Sequence, residues 1–384
     1  MREVNIKLRT KVMWIIIAVI LVLAIATSIL MFALNYYNYG EDPVVEDRAH
    51  NVILLIGDGM GKNHIKTAEI YHGSKLFMNS KFTTSGEVFT HSLSLGATDS
   101  AAAATAMATG KKVNNGQIAW HSNENITSIT EYAQSLGKRT GIVTTKPAYD
   151  ATPAAFSAHT KSRSNSNDIV YQQVHSSNLN VLMGLGKSYY DPFADVINTP
   201  TRDYVNNFAD LNASSKDDVY AIFEDDAIAT LGTNTLATMT ERALDKLTIN
   251  DNEDGFFLMV EGARIDSYSH DNEIKPMIEQ LLAFDDAVAV AYNFAKKHPN
   301  TTVIVTADHE TGNLKIPNTK KEANEEGELV EVPLSADDID NSWFKKTGHT
   351  TQNVMYYAFG PGAKAIPSEI DNTDIYEIIS QLIS

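Results

Sequence analysis

Short runs of apolar residues recur along the chain from Asn51 onward, and between them apolar residues return every three or four positions. The first pattern is typical of buried parallel strands and the second of amphipathic helices. The predicted strands are 51–57, 140–145, 180–186, 219–223, 255–262, 301–308 and 354–360. The predicted helices are 100–109, 126–136, 236–247, 274–297 and 375–383. This alternation predicts a doubly wound α/β domain, with a mostly parallel central sheet flanked by helices on both faces.

The N-terminus shows a different pattern. Basic residues precede an uncharged apolar stretch of 21 residues, 14–34, which is long enough to cross a bilayer as a helix. Basic residues before the stretch predict a cytoplasmic N-terminus and an exported remainder. We expect an uncleaved signal anchor that holds the protein on the outer face of the cytoplasmic membrane. Cleavage as a signal peptide near residues 24–26 is the alternative, and it would release the protein.

These patterns divide the chain into three regions. Residues 1–34 form a basic stub and the membrane segment, and the polar, turn-rich residues 35–50 are interpreted as a linker. Residues 51–384 form one α/β domain without a break in composition. Within that domain, the charged residues 315–345 predict a surface excursion that carries a small strand.

Composition narrows the possible chemistry. The chain has no cysteine, so any metal ion must bind to His, Asp, Glu or hydroxyl groups. The net charge is −17, and because the first 34 residues carry four basic groups and one acid, the remainder carries −20. This acidity argues against a nucleic-acid-binding face. An anionic substrate would need locally positive groups, which bound cations could supply.

Charged residues follow the ends of several predicted strands. Asp58 lies in the turn GDGMG, which matches neither a phosphate-binding loop nor a dinucleotide fingerprint. Because the carboxyl ends of parallel strands gather at one edge of a sheet, we expect these side chains to meet there. Taken singly, the plain alternative is a solvated turn residue for Asp58 and a hydrogen-bonded surface or core residue for each histidine. The other strand-end residues are Glu261, Asp266, His270, Asp308 and His309, with His349 further along.

Two further segments carry candidate chemistry. Ser100 begins an alanine-rich helix in TDSAAAATAMATG, where it is either a helix cap or a nucleophile in the positive field of the helix start. A serine hydroxyl needs a base or a metal to become reactive, and the strand-end acids favour a metal. Arg163 ends the segment DATPAAFSAHTKSR, which also contains Asp150 and Thr152. Its forked guanidinium suits a phosphate group.

Taken together, these motifs resemble those of the alkaline phosphatase family. The segments IGDGMG, TDSAAAATAMATG, DATPAAFSAHTKSR, VEGARIDSYSH, TADHETG and GHT occur in the family's order. They span residues 51 to about 362, which is nearly the whole exported chain. The resemblance implies hydrolysis of phosphate monoesters with broad specificity for the alcohol. It implies a phosphoserine intermediate at Ser100, with Arg163 and Asp150 in the substrate site.

The resemblance also implies a site for two zinc ions and one magnesium ion. Nitrogen and oxygen donors together suit zinc, whereas an all-oxygen set suits magnesium. The retained Asp150 also favours magnesium over zinc in the third set. The three implied sets are Asp266, His270 and His349; Asp58, Asp308, His309 and Ser100; and Asp58, Thr152 and Glu261.

Two features depart from the family pattern. Some members carry Lys or His directly after the metal-binding aspartate, where this chain has Ser267, so we expect weaker phosphate binding. The segment between His309 and His349 is short, so we expect no large domain over the site. Because such regions contribute to dimer contacts in the family, a homodimer stays an open expectation.

Two other functions stay open. A phosphodiesterase of the same superfamily usually presents Thr as its nucleophile and lacks both the Asp-Ser-Ala opening and the Arg. A membrane-anchored, phosphate-binding ectodomain would be expected to have lost Ser100, Arg163 or a ligand, and all of them are present.

Overall fold

The computed structural model describes residues 48–224, 235–249, 254–324, 326 and 328–384. In this part of the chain the strands form one ten-stranded sheet and three two-stranded sheets. The strands are β1 (Asn51–Gly57), β2 (Thr84–Phe89), β3 (Trp120–His121), β4 (Glu124–Asn125), β5 (Arg139–Pro147), β6 (Val181–Leu185), β7 (Arg202–Val205), β8 (Asp218–Phe223), β9 (Phe256–Gly262), β10 (Thr301–Ala307), β11 (Glu310–Thr311), β12 (Lys320–Ala323), β13 (Leu329–Val332), β14 (His349–Thr350), β15 (Val354–Phe359) and β16 (Glu369–Asp371).

The helices separate these strands along the chain. The longer ones are Lys62–His72, Ser100–Thr109, Ser166–His175, Thr235–Leu247, Ile274–Lys297 and Asp374–Ile383. Shorter helices are Phe77–Lys81, Ile129–Ser135, Ala151–Ala155, Lys187–Tyr190, Ala194–Ile197, Phe208–Ala213 and Arg264–His270. Short 3-10 turns occur at Asp191–Phe193, Ala336–Asp338, Asn341–Trp343 and Ala363–Ala365.

The large sheet has the strand order β16-β2-β15-β10-β1-β9-β5-β6-β8-β7. Its neighbouring strands are parallel except where β15 pairs with β10 and with β2. The predicted mostly parallel sheet is therefore confirmed, but the prediction of a parallel strand at 354–360 was wrong. After β10 the chain forms β11, which pairs with β14 just before β15 begins. Since β15 starts at the edge where β10 ends, it must run in the opposite direction.

The core lies on both faces of the sheet. Residues 52–57 of β1 and all of β9 and β10 are buried, so helices must cover both faces. One group of helices contains Thr235–Leu247 and Ile274–Lys297, which pack on each other and on the central strands. A second group contains Ser100–Thr109, Ile129–Ser135 and Asp374–Ile383. Every residue of Ser100–Thr109 is buried, and its alanines allow close packing.

The predicted elements mostly appear with small shifts of their ends. Helices 100–109 and 274–297 have the predicted bounds. The helix predicted at 126–136 begins at Ile129, because Ser128 and Glu131 form a capping box there. The excursion 315–345 contains the hairpin β12–β13, where a single small strand was predicted. Helices Lys62–His72 and Ser166–His175 and the strands β2, β7 and β16 were not predicted.

The predicted membrane segment 14–34, and residues 35–47 of the linker, lie outside the described residues. None of the helices in the described part combines the length and the apolarity that crossing a bilayer requires.

Candidate metal-binding active site

The site lies where three central strands end. Gly57 at the end of β1 pairs with Ala307 of β10 and with Gly262 of β9. Asp58 and Asp308 each follow directly, and they emerge side by side with 1% and 0% of their surface exposed. The turn after Asp58 needs glycine, because Gly59 has φ +77° and a Cβ there would lie 2.8 Å from Asp266 Cα. The Gly59 amide donates to Asp308 Oδ1 at 3.0 Å.

The first predicted ligand set is assembled at this edge. Nε2 of His270 lies 3.1 Å from Nε2 of His349 and 3.3 Å from Asp266 Oδ1. Nε2 of His349 lies 3.5 Å from the same Asp266 oxygen. Two donors bound to a tetrahedral zinc ion at about 2.0–2.1 Å are about 3.3–3.4 Å apart. The three separations therefore fit the edges of a tetrahedral site.

The orientation of the two imidazoles supports this assignment. His349 Nδ1 donates to the Thr98 carbonyl at 2.8 Å, and His270 Nδ1 donates to the Thr347 carbonyl. When Nδ1 carries the proton, the Nε2 lone pair of each neutral ring points toward the other ring. Two lone pairs 3.1 Å apart repel each other unless a cation lies between them.

The second predicted set is centred on His309. Its Nε2 lies 3.3 Å from Ser100 Oγ, 3.2 Å from Asp308 Oδ2 and 3.5 Å from Asp58 Oδ1. These separations also match the edges of a tetrahedral zinc site. On the other side of the ring, Nδ1 lies 3.2 Å from Thr311 Oγ1, and Thr311 donates to Asp266 Oδ1 at 2.7 Å. Thr311 thus connects the two ligand sets.

Three buried oxygens in these sets point to bound cations. In the described part of the chain, Asp58 Oδ1, Asp308 Oδ2 and Thr152 Oγ1 have no hydrogen-bond partner. Buried polar atoms are rarely left in this state, because losing the partner costs about 1–3 kcal/mol. Thr152 and Glu261, which belong with Asp58 to the predicted all-oxygen set, are each 1% exposed.

The protonation of the carboxyl groups leads to the same conclusion. Burial, and then the charges of Asp266 and Asp308, raise the pKa of Asp58 well above its ordinary value. Burial and neighbouring acids raise the pKa of Asp308 to about 7 and that of Glu261 to about 8. Nearby positive charge is needed to keep all three groups ionised at neutral pH. Divalent cations would supply that charge.

The pKa values of His309 and Asp266 are shifted toward the protonation states that bind metals. Burial, and then the neighbouring His349, lower the pKa of His309 well below its ordinary value, so the ring stays neutral. Burial opposes ionisation of Asp266, but the contact with His349 and the nearby positive charge of Lys146 outweigh it and lower its pKa. A neutral imidazole and an ionised carboxylate are the forms that bind metals.

The nucleophile candidate lies at the start of a capped helix. Asp99 precedes Ser100, and its Oδ1 accepts from the Ala102 amide at 3.0 Å. Its Oδ2 accepts from the Gly116 amide at 3.0 Å. Asp99 is therefore the helix cap, which leaves the Ser100 hydroxyl free of that role. Ser100 is 4% exposed and faces His309.

Arg163 lies at the mouth of the site. Its Nη1 is 3.3 Å from Asp99 Oδ2, and its Nη2 is 3.2 Å from Asp150 Oδ1. Asp150 also caps helix Ala151–Ala155 by accepting from the Ala151 amide at 2.8 Å. With 31% of its side chain exposed, Arg163 is fixed beside the residue before Ser100 and still open to solvent. The predicted site residues other than Thr152 therefore meet at one edge of the sheet, and Thr152 follows two positions after Asp150.

Sequence reasoning missed three residues that contact the site. They are Asp99, which both caps the helix and binds Arg163; Thr311, which connects the ligand sets; and Lys146. Lys146 Nζ lies 3.3 Å from Asp58 Oδ2 and 3.7 Å from Asp266 Oδ2. The available signal was a lysine at the carboxyl end of a predicted strand, four residues before Asp150.

An α/β sheet that brings two histidine–carboxylate sets and a buried serine to one edge defines a metal-binding hydrolase. The alkaline phosphatase family model matches residues 49–330. The chain belongs to the alkaline phosphatase family, and it is a phosphoric monoester hydrolase.

Similar proteins cover most of the chain. Alkaline phosphatase 4 of Bacillus subtilis is 32% identical, and the alignment covers 88% of this chain and 90% of that protein. Streptomycin-6-phosphate phosphatase of Streptomyces griseus is 29% identical, with 86% and 90% covered. A solved variant of the TAB5 alkaline phosphatase, with Mg bound in its M3 site, is 29% identical. Its TM-score is 0.75, and the match covers 88% of this chain and 98% of that one.

Proposed function

We propose that the protein hydrolyses phosphate monoesters through a phosphoserine formed at Ser100, using two zinc ions and one magnesium ion. The observation that carries this proposal is the 3.3 Å separation between Ser100 Oγ and His309 Nε2. That distance supports including the hydroxyl in the second ligand set, together with the unpartnered oxygens of Asp58 and Asp308. The family assignment supports the reaction class, and the geometry supports the roles of the individual residues.

The reaction has two displacements at phosphorus. Bound cations supply positive charge that favours an ionised serine and balances the charge developing in the transition state. Ser100 Oγ loses its proton and attacks phosphorus, and the alcohol leaves and takes up a proton. Arg163 donates to the non-bridging oxygens from its fixed place beside Asp99 and Asp150. Water then attacks phosphorus, which releases phosphate and restores the hydroxyl.

We propose that the ions differ between the sets because the donors differ. The two sets with histidine suit zinc, and their ligand separations fit a tetrahedral ion. Asp58, Thr152 and Glu261 offer only oxygen, which suits magnesium. The TAB5 variant with Mg bound in its M3 site supports magnesium in the third set. Asp58 belongs to two of these sets, so the first strand end would bridge two ions.

The substrate is proposed to be a broad range of phosphate monoesters. Each residue assigned above acts on the phosphoryl group or on a cation, and the phosphoryl group is common to all such esters. A narrower specificity is the alternative, because the related Streptomyces griseus protein is named for streptomycin 6-phosphate. A panel of sugar, nucleoside and aminoglycoside phosphates distinguishes them, since broad specificity predicts kcat/KM values within about tenfold of one another.

For the location, we propose an exported protein held on the outer face of the cytoplasmic membrane. The basic residues and the uncharged stretch 14–34 support this proposal. Fractionation of cells, followed by protease treatment of intact spheroplasts, tests it: an anchored exported domain stays with the membrane and is digested from outside.

The oligomeric state is a separate question, and light scattering of the purified protein tests whether it forms a homodimer.

A direct test uses two chromogenic esters. We expect rapid hydrolysis of p-nitrophenyl phosphate and little hydrolysis of bis(p-nitrophenyl) phosphate. A chelator should abolish the activity, and added zinc and magnesium should restore it. Preference for the bis-ester would identify a phosphodiesterase. Inactivity on both esters, with metal-dependent phosphate binding retained, would indicate a binding protein.

A further inference from the structure

Lys146 places an ammonium group inside the site from the end of β5. Its Nζ lies 3.3 Å from Asp58 Oδ2, 3.7 Å from Asp266 Oδ2 and 4.0 Å from Asp150 Oδ2. Its side chain is only 19% exposed. The three carboxylates follow three different strands, so the strand order brings them together around this one amine.

The simplest role for such an amine is to neutralise acids, but two of its three partners have another assignment. Asp58 and Asp266 belong to the proposed ligand sets, where bound cations balance their charge. An ammonium group has three donors, and a carboxylate that binds a metal attracts it less strongly. Asp150 is the partner that no proposed set uses, so it would stay available to pair with Lys146 when cations are bound.

Asp150 also anchors Arg163, through its other oxygen. Arg163 Nη2 lies 3.2 Å from Asp150 Oδ1, while Lys146 Nζ lies 4.0 Å from Asp150 Oδ2. One carboxylate therefore holds two cationic side chains next to each other. Arg163 also contacts Asp99, which precedes Ser100, and Lys146 contacts Asp58, which lies 3.5 Å from His309. Arg163 therefore lies next to the residue before Ser100, and Lys146 lies next to a proposed ligand of the ion that Ser100 would share.

We propose that Lys146 is a second phosphate-binding residue, whose ammonium group contacts the phosphoryl group beside Arg163. This inference rests on the proposed function and adds a residue to it. A point-like ammonium and a forked guanidinium complement each other at a phosphoryl group with three peripheral oxygens. Lys146 would act on the substrate and on bound product phosphate alike.

The test measures binding of inorganic phosphate to the zinc- and magnesium-loaded protein by calorimetry, in the Ser100→Ala background so that no turnover occurs. We expect Lys146→Gln to raise the Kd for phosphate about tenfold or more, the size of one charge-assisted hydrogen bond. Lys146→Arg should retain most of the affinity. Lys112→Gln is the matched control, since Lys112 is 15% exposed and pairs with Asp371 at 2.8 Å.

Elemental analysis of the same samples separates phosphate binding from a structural role. Loss of phosphate affinity with full metal content supports the proposal. A Kd within twofold of the parent protein overturns it, and so does metal loss that by itself accounts for the weaker binding. If the Gln variant does not fold, Lys146→Met keeps the volume of the stem and replaces it. Parallel assays use the protein with Ser100 intact. Hydrolysis of phosphate monoesters by that protein upholds the proposed function, whether or not Lys146 binds phosphate, so the two proposals can fail independently.

Discussion

Ser100 Oγ and His309 Nε2 lie 3.3 Å apart, although 209 positions separate them in the chain. The contact joins the start of a helix on one face of the sheet to the second residue after β10. A shared ion at ordinary bond lengths requires a separation of this size. This relationship brings a helix-start motif and a strand-end motif together in the proposed reaction centre.

The first prediction concerns Ser100→Ala. We expect kcat to fall by about 10³-fold or more without reaching zero, because cations and Arg163 still position the ester. Mass spectrometry of acid-quenched enzyme should show phosphoserine in the parent protein and none in the variant, while the metal content stays unchanged. Ser80→Ala, at an exposed position of helix Phe77–Lys81, is the control. Full activity of the Ser100 variant would show that the nucleophile is misassigned.

The second prediction concerns the bridging role of Asp58. We expect Asp58→Ala to lose the ions of two sets, because one carboxylate serves both the histidine-containing and the all-oxygen set. Asp266→Ala should lose the ion of its own set only. Elemental analysis after gel filtration measures the difference, with the exposed Asp191→Ala as the control. Equal metal loss in the Asp58 and Asp266 variants would contradict the bridge.

The third prediction concerns the stability of chelated protein at different pH. With pKa values of about 7 for Asp308 and about 8 for Glu261, the folded state without cations holds more protons than the unfolded chain. Its stability is therefore present at lower pH and is lost as the pH rises through these values. The free energy of unfolding falls by up to about 1.4 kcal/mol per pH unit for each of these protons that the folded state holds and the unfolded chain has lost.

The net loss of stability begins near pH 6.5, because an opposing contribution from His64 acts only below that pH. Burial lowers the pKa of His64 to about 4, so below its ordinary value of 6.5 the unfolded chain binds more protons there. Calorimetry with a chelator should show a Tm that falls from about pH 6.5 to about 8.5, whereas metal-loaded protein shows little change. A Tm of the chelated protein that rises across this range would refute the assignment.

The fourth prediction concerns Ser267. The sequence alone favours weaker phosphate binding here, because Ser267 carries no charge. However, Lys146 already brings an ammonium group to within 3.7 Å of Asp266, the neighbouring residue. We therefore expect Ser267→Lys to tighten phosphate inhibition little in the parent protein and clearly in the Lys146→Gln background. The inhibition constant of phosphate is measured in the parent protein, in the two single variants and in the double variant. An equal effect of Ser267→Lys in both backgrounds would show that the two cations act additively and would contradict the prediction.

Much of the candidate site could be predicted because most of its proposed ligands follow recognisable local patterns. Asp58, Glu261 and Asp308 come at or after the ends of apolar strands, and the carboxyl ends of parallel strands share one edge. Asp99 was missed because the sequence does not distinguish which of two adjacent polar residues caps the helix. Lys146 was missed because a single lysine at a strand end has no pattern of its own.

The sequence by itself determined which segments are buried strands and helices and which residue types are available to bind cations. Those properties depend on neighbours a few positions apart, through the periodicity of apolar residues. Only the tertiary structure decided that Gly57, Gly262 and Ala307 share one register, that β15 runs antiparallel, and that Lys146 meets three carboxylates. These features depend on strand order and on chain reversals across hundreds of residues, which no local pattern encodes.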